Sequence, residues 1–287
     1  MDTRIRKAWK GAVNIGCALM LLLPLSPARG DALSDWNAIA ARMVSSSGQP
    51  RAAQELAAVY AAMFEAMNFV EGKYVPRFLV KQPAPLGGSG EVEAIGAAHY
   101  VLAELYPGQK ASLDAALERS MAAYPDRDAA SRARIWGRHL GGNVSASVLS
   151  PLDRPKVSKL AQLRASSAES GASGEIWSSI AARSIERRPL QPIERARINA
   201  LLSLAASTVY SAAGDARYGA GVPCVSCALD AAVRVILEAE FGSANEPAEA
   251  YLIPVRDDAD RSQSARAGEE MGARIGLQTL TYYKRIK

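Results

Sequence analysis

Apolar residues recur along this chain at intervals of three and four, and they rarely alternate with polar ones. The clearest stretch is Gly221–Gly242, GVPCVSCALDAAVRVILEAEFG, where Leu229, Ala232, Val233, Ile236 and Leu237 share one helical face. Pro223 breaks the chain before it, and Gly242 is placed to end it. The same spacing predicts a helix over 35–44, with Ser34 as N-cap and Trp36, Ile39, Ala40 and Met43 inward. Further helices are expected over 51–70, 91–106, 111–124, 131–149, 174–187, 193–213 and 264–283, with 131–149 weakened by Gly141 and Gly142. In 51–70, Leu56, Val59, Tyr60, Met63 and Met67 line one side, and the alanines between them let neighbours come close. That makes it the expected centre of a bundle, with Leu56, Tyr60 and Met63 facing Ile198, Leu201 and Leu204. With no β-branched alternating runs, the class is all-α. Breaks are expected at 45–50, 82–90 and 150–155, an exposed Ser/Gly-rich linker at 166–174, and an irregular acidic stretch at 243–259.

The first 32 residues form a separate pattern. Arg4, Arg6, Lys7 and Lys10 precede an apolar run, Ala12–Leu25, and small residues follow it. This is the pattern of a signal peptide and implies a periplasmic or secreted protein, with 33–287 as a single helical domain. Cys17 lies inside the apolar run and is read as discarded with it. Removing Met1–Ala32 takes away five basic and two acidic residues. The net charge then falls from +5 to +2, with 29 basic against 27 acidic residues. The basic balance therefore gives little support to nucleic-acid binding. No later run is long and apolar enough to predict a membrane span.

Candidate chemistry is sparse. His99 and His139 are the only histidines, which does not support a His-based metal site. Neither sits in a hydrolase motif, and both read as packed or surface residues. Leu86–Gly90, LGGSG, reads as a flexible loop rather than a phosphate cradle. Glu65 is expected to be semi-buried and paired with an arginine. Cys224 and Cys227 stand at the start of the clearest helix, either as a short-loop disulfide or as a reactive pair. Free N–H groups at such a helix start suit an anion and lower the pKa of a nearby thiol.

Three stretches carry a family resemblance. Residues 35–78 are DWNAIAARMV…QPRAAQELAAVYAAMFEAMNFVEGKYVPRF, continued by GAAHYVLAELYP. Residues 176–218 are IWSSIAARSIERRPLQPIERARINALLSLAASTVYSAAGDARY, and PCVSCALDAAVRVILEAEFG follows. Together they resemble the vanadium-dependent haloperoxidases and the acid and lipid phosphatases of the same helical fold. The resemblance implies an all-α bundle of that type. It also implies an oxyanion site for vanadate or phosphate, held by a Lys, two Arg and backbone N–H groups. One His there bonds vanadium or attacks phosphorus, and a second acts as acid–base. This chain departs at those positions. Ser226 stands where the attacking His is expected, so it is the remaining candidate nucleophile. Arg217 is the only basic residue just before it, and Arg261 matches the arginine after the second His, with no His preceding it. These two are the candidate anion ligands. Three functions follow as expectations: a non-catalytic binding or partner protein, with no cofactor and an unknown protein or small oxyanion as partner; an enzyme with altered oxyanion chemistry; or a thiol–disulfide protein using Cys224 and Cys227.

Overall fold

A computed structural model describes residues 32–45, 51–78, 89–149, 185, 188–214, 224–242 and 263–286. The described residues fold into eight α-helices and one short 3-10 turn, with no strand among them. In chain order these are α1 (Ala32–Val44), α2 (Arg51–Glu71), α3 (Gly90–Leu105), α4 (Lys110–Met121) and α5 (Arg127–Leu149). After them come α6 (Pro192–Gly214), α7 (Val225–Phe241) and α8 (Gln263–Leu280). The all-α expectation therefore holds. No helix among the described residues is long and apolar enough to cross a membrane. The expected signal segment, the 166–174 linker, the 174–187 helix except Ile185, and the 243–259 stretch lie outside the described residues.

The second helix is the hub. It packs against α1, α3, α5 and α6, and α6 in turn carries α7 and α8. Fifteen of its 21 residues are buried, so α2 has scarcely any solvent face rather than one apolar side. Its alanines, Ala57, Ala58, Ala61, Ala62 and Ala66, are fully covered, which lets four helices crowd around one backbone. Leu56 and Met63 are buried, as are Ile198, Leu201 and Leu204 of the adjoining α6. Tyr60 differs from its expected place against α6. It is half-buried, and its hydroxyl donates to the Asn37 carbonyl of α1 at 3.4 Å.

Two helix pairs meet backbone to backbone. On α8, Gly268, Gly272 and Gly276 face Cys224, Ala228 and Ala232 of the α7 segment. A Cβ added at those glycines would lie 2.3, 2.0 and 2.9 Å from the facing carbonyl oxygens. The α3–α5 pair works the same way. A Cβ on Gly137 would lie 2.0 Å from the Glu93 carbonyl oxygen, and one on Gly141 2.9 Å from that of Ala97. This corrects the expectation for 131–149. The helix begins four residues earlier, at Arg127, and runs through Gly141 and Gly142 to Leu149. What glycine loses in helix propensity is recovered in close packing.

The helix ends also shift. Ser34 lies inside α1, which starts at Ala32. The fourth helix stops at Met121, ahead of Tyr124. The last helix stops at Leu280, and the chain then turns back to pair with the segment after α2. Val75 N–H donates to the Lys284 carbonyl at 2.9 Å and Ile286 N–H to that of Lys73 at 3.0 Å. Gly242 ends α7 as expected, in the left-handed region at φ 78°.

These contacts set two expected outcomes. Met63→Asp places an unpaired charge at a site only 2% exposed, so it should abolish the cooperative thermal transition. A soluble, cooperatively folding variant would remove α2 from the core. Gly272→Ala should lower stability by about 2 kcal/mol or more, because backbone must move. Gly142→Ala meets only the movable Tyr100 ring, at 3.2 Å, and should change stability by less than about 1 kcal/mol. Denaturant unfolding of the pair checks the contrast.

Candidate functional site

The chemistry of the start of α7 is set by sulfur. Cys224 and Cys227 are joined as a disulfide, with their Cα atoms 5.3 Å apart. Cys224 is the N-cap of α7, in extended backbone, and its Sγ accepts the Cys227 N–H at 3.2 Å. The Ser226 hydroxyl lies 3.2 Å from the same sulfur. From the other side, Cys224 N–H donates to the Ser264 carbonyl at 3.0 Å, which ties the cap to the start of α8. Both cysteines and Ser226 are half-buried. As a staple it does little. A loop this short removes only about 2 kcal/mol of chain entropy, less than half of what a loop of about 100 residues removes.

Among the described residues, no carboxylate is bonded to the Ser226 hydroxyl. Asp230, one turn further along α7, is half-buried, and burial pushes its carboxyl up against the opposing pull of Arg234. Arg217 and Arg261 lie outside the described residues. Among the described residues, no group of three His, Cys, Asp or Glu side chains could hold a metal ion.

The histidines sit elsewhere. His99 on α3 is buried, and its Nε2 is 2.7 Å from the Asp114 carboxylate of α4. Burial outweighs Asp114 and holds this imidazole below its ordinary value. Lys110 shares Asp114, at 2.6 Å, so the group reads as a tie between α3 and α4. His139 on α5 is exposed beside an open depression of about 490 Å³ lined also by Tyr100, Ile135 and Arg138.

Two buried carboxyls were not singled out as a functional pair by the sequence. Glu65 on α2 accepts the backbone N–H of Arg77 at 2.9 Å and of Phe78 at 3.4 Å, rather than an arginine side chain. Burial raises it to about 7, with these N–H groups and the neighbouring Tyr283 hydroxyl pulling the other way. Glu93, in the first turn of α3, is fully covered, and neither carboxylate oxygen has a hydrogen-bond partner. Burial alone lifts it to about 8. Its sequence signal is only a Glu on the same helical face as Gly96 and Ala97, which is weak because a first-turn Glu is ordinarily a solvated dipole partner.

No protein-family profile, no curated protein and no solved structure matches the chain.

The two carboxyls predict a pH dependence of known sign. Their folded values lie above the ordinary 4.5, so the folded state binds more protons than the unfolded chain between 4.5 and about 8. Stability is therefore greatest at the acid end of that window and falls as pH rises. One carboxyl contributes at most about 1.4 kcal/mol per pH unit. Above pH 7, Glu93 keeps the larger share of its proton, while Glu65 completes the second half of its titration. Thermal unfolding should show wild type losing stability from pH 7 to 8 and Glu93→Gln losing less. Equal losses would place the Glu93 carboxyl in contact with solvent.

Proposed function

We propose that this protein is an exported, non-catalytic binding or partner protein on a helical scaffold of the haloperoxidase and phosphatase type. Residues 35–78, 176–218 and 223–242 support the scaffold class by resemblance. One observation carries the loss of chemistry. At the start of α7, where the resemblance puts the oxyanion, the Cys227 N–H is taken by Cys224 Sγ. The Ser226 hydroxyl is drawn to the same sulfur.

An in-line attack on phosphorus or a bond to vanadium needs a good donor near neutral pH. Imidazole supplies one without a separate base. A serine hydroxyl needs a base within hydrogen-bond reach. Asp230 is a poor choice, because its charge would repel the oxyanion. His99 and His139 belong to α3 and α5, which pack on α2 and on each other. The arginines that remain as anion ligands, Arg217 and Arg261, lack the histidines they would accompany. A scaffold in this condition retains surfaces for a protein partner or a small oxyanion, but not the groups that turn substrate over.

The test is direct. The purified protein should show negligible halide oxidation and phosphomonoester hydrolysis, with or without added vanadate. Ser226→His alone should not restore either, since the Lys/Arg clamp is missing too. Vanadate-dependent halide oxidation or ester hydrolysis that Ser226→Ala abolishes would overturn the proposal and make Ser226 a nucleophile. Calorimetric titration with vanadate and with inorganic phosphate then separates a retained oxyanion ligand from a purely protein-binding surface.

A further inference from the structure

We infer that Cys224 and Cys227 form a thiol–disulfide exchange site, with Cys224 as the attacking sulfur, Cys227 as the resolving one, and disulfides as the substrate class. The site rests on the sulfur geometry and not on the scaffold class proposed above. Three features set this pair apart from a structural staple. The cross-link spans a single helical turn, so it joins no two elements of the fold. Both cysteine residues are half-buried rather than sealed in the core. The two sulfurs are also unlike. Cys224 Sγ takes an N–H of the first turn of α7 at 3.2 Å and has the Ser226 hydroxyl at 3.2 Å. Both donors stabilise a thiolate there, along with the positive end of the helix dipole. Cys227 lies within the helix and gives up its own N–H to this cap.

The chemistry balances as two displacements. In the reduced protein the Cys224 thiolate attacks one sulfur of a substrate disulfide. A Cys224–substrate disulfide forms, and the other substrate sulfur leaves as a thiolate that takes a proton from water. Cys227 then loses its proton to water and attacks Cys224 Sγ. The intramolecular disulfide closes, and the remaining substrate sulfur leaves. Two electrons have passed to the substrate, and the protein is left in the oxidised form seen in the structure. A dithiol returns it by the reverse path. Its first thiolate attacks Cys224 Sγ and expels Cys227, and its second closes its own disulfide and expels Cys224 as the capped thiolate.

The backbone cap explains why the pair can open without unfolding its surroundings. The Cys224 N–H bond to Ser264 and the close approach of Gly268 hold the turn by main-chain contacts that do not use the S–S bond.

The full chain, in a Cys17→Ser background, tests this. Equilibration against reduced and oxidised glutathione, followed by alkylation and mass measurement, should reduce the pair reversibly with unchanged far-ultraviolet circular dichroism. Among single variants, Cys227→Ser should form a mixed disulfide with oxidised glutathione at least tenfold faster than Cys224→Ser at pH 7. Its pH–rate profile should be shifted to lower pH, and Ser226→Ala in the same background should move it back up. A disulfide-bonded peptide in parallel shows whether the substrate is small or peptidic. A pair that stays oxidised at every glutathione ratio, reduction that unfolds the protein, or equal rates in the two variants would overturn the assignment.

Discussion

A helix covered on nearly all sides leaves its polar side chains only protein to bond, and α2 imposes that condition on the rest of the fold. Glu55, Glu65 and Asn68 are each no more than 2% exposed. An unpaired polar group at such a site is far more costly than the net gain from one more hydrogen bond. Each is accordingly met from outside the helix or from one turn away. Arg51 and Tyr106 converge on the two oxygens of Glu55, at 2.6 and 2.5 Å. Asn68 clamps Tyr74 by both its N–H and its carbonyl, at 2.8 Å each. Glu65 draws in the N–H groups of Arg77 and Phe78. The chain leaving α2 is thus folded back on α2 by the residues α2 has buried.

That returning segment in turn positions the C-terminus. Tyr74 is covered, and its neighbours pair with 284–286. Tyr283 is also covered, and its ring lies 4.3 Å from that of Phe64 on α2. Arg197 of α6 then closes the end of the bundle. It donates to the Tyr283 carbonyl at 2.8 Å and to Glu240 of α7 at 2.5 Å. One buried arginine therefore links α6, α7 and the segment after α8, and its charge is compensated by a carboxylate as burial requires.

How much of this was legible in the sequence follows from which contacts are local. Periodicity marks α2 and α7 because their apolar residues recur every three or four positions, and Gly242 stops α7 by its own backbone freedom. Gly141 and Gly142 were misread because propensity counts a glycine against a helix, whereas the Ala97 carbonyl across the interface requires one at 141. The repeat Gly268, Gly272, Gly276 was present in the sequence as a four-residue period. It identifies the α7–α8 contact once small residues are read as a packing signal rather than as breaks. The C-terminal turn was hidden for a different reason. Tyr282 and Tyr283 continue an apolar helical pattern, and only a partner 211 residues away in sequence, Tyr74 for Arg285, draws the chain out of it. At the candidate site, the disulfide spacing and the helices that carry His99 and His139 were legible, but the Asp114 partner of His99 was not, because it lies 15 residues on, in another helix.

The start of α7 connects the two functional proposals through one electrostatic fact. A helix N-terminus favours negative charge whatever atom bears it. An oxyanion needs several N–H donors and cationic side chains to converge on it, because its charge is spread over several oxygens. A thiolate concentrates its charge on one sulfur, and a single N–H with one hydroxyl goes much further toward satisfying it. Cys224 takes the first of these donors and holds Ser226 beside it, so the geometry at α7 is matched to the smaller anion. Histidine at 226 would still face a cap occupied by sulfur. On the two proposals taken together, the contacts that draw donors away from an oxyanion at this helix start are the ones that hold a thiolate there.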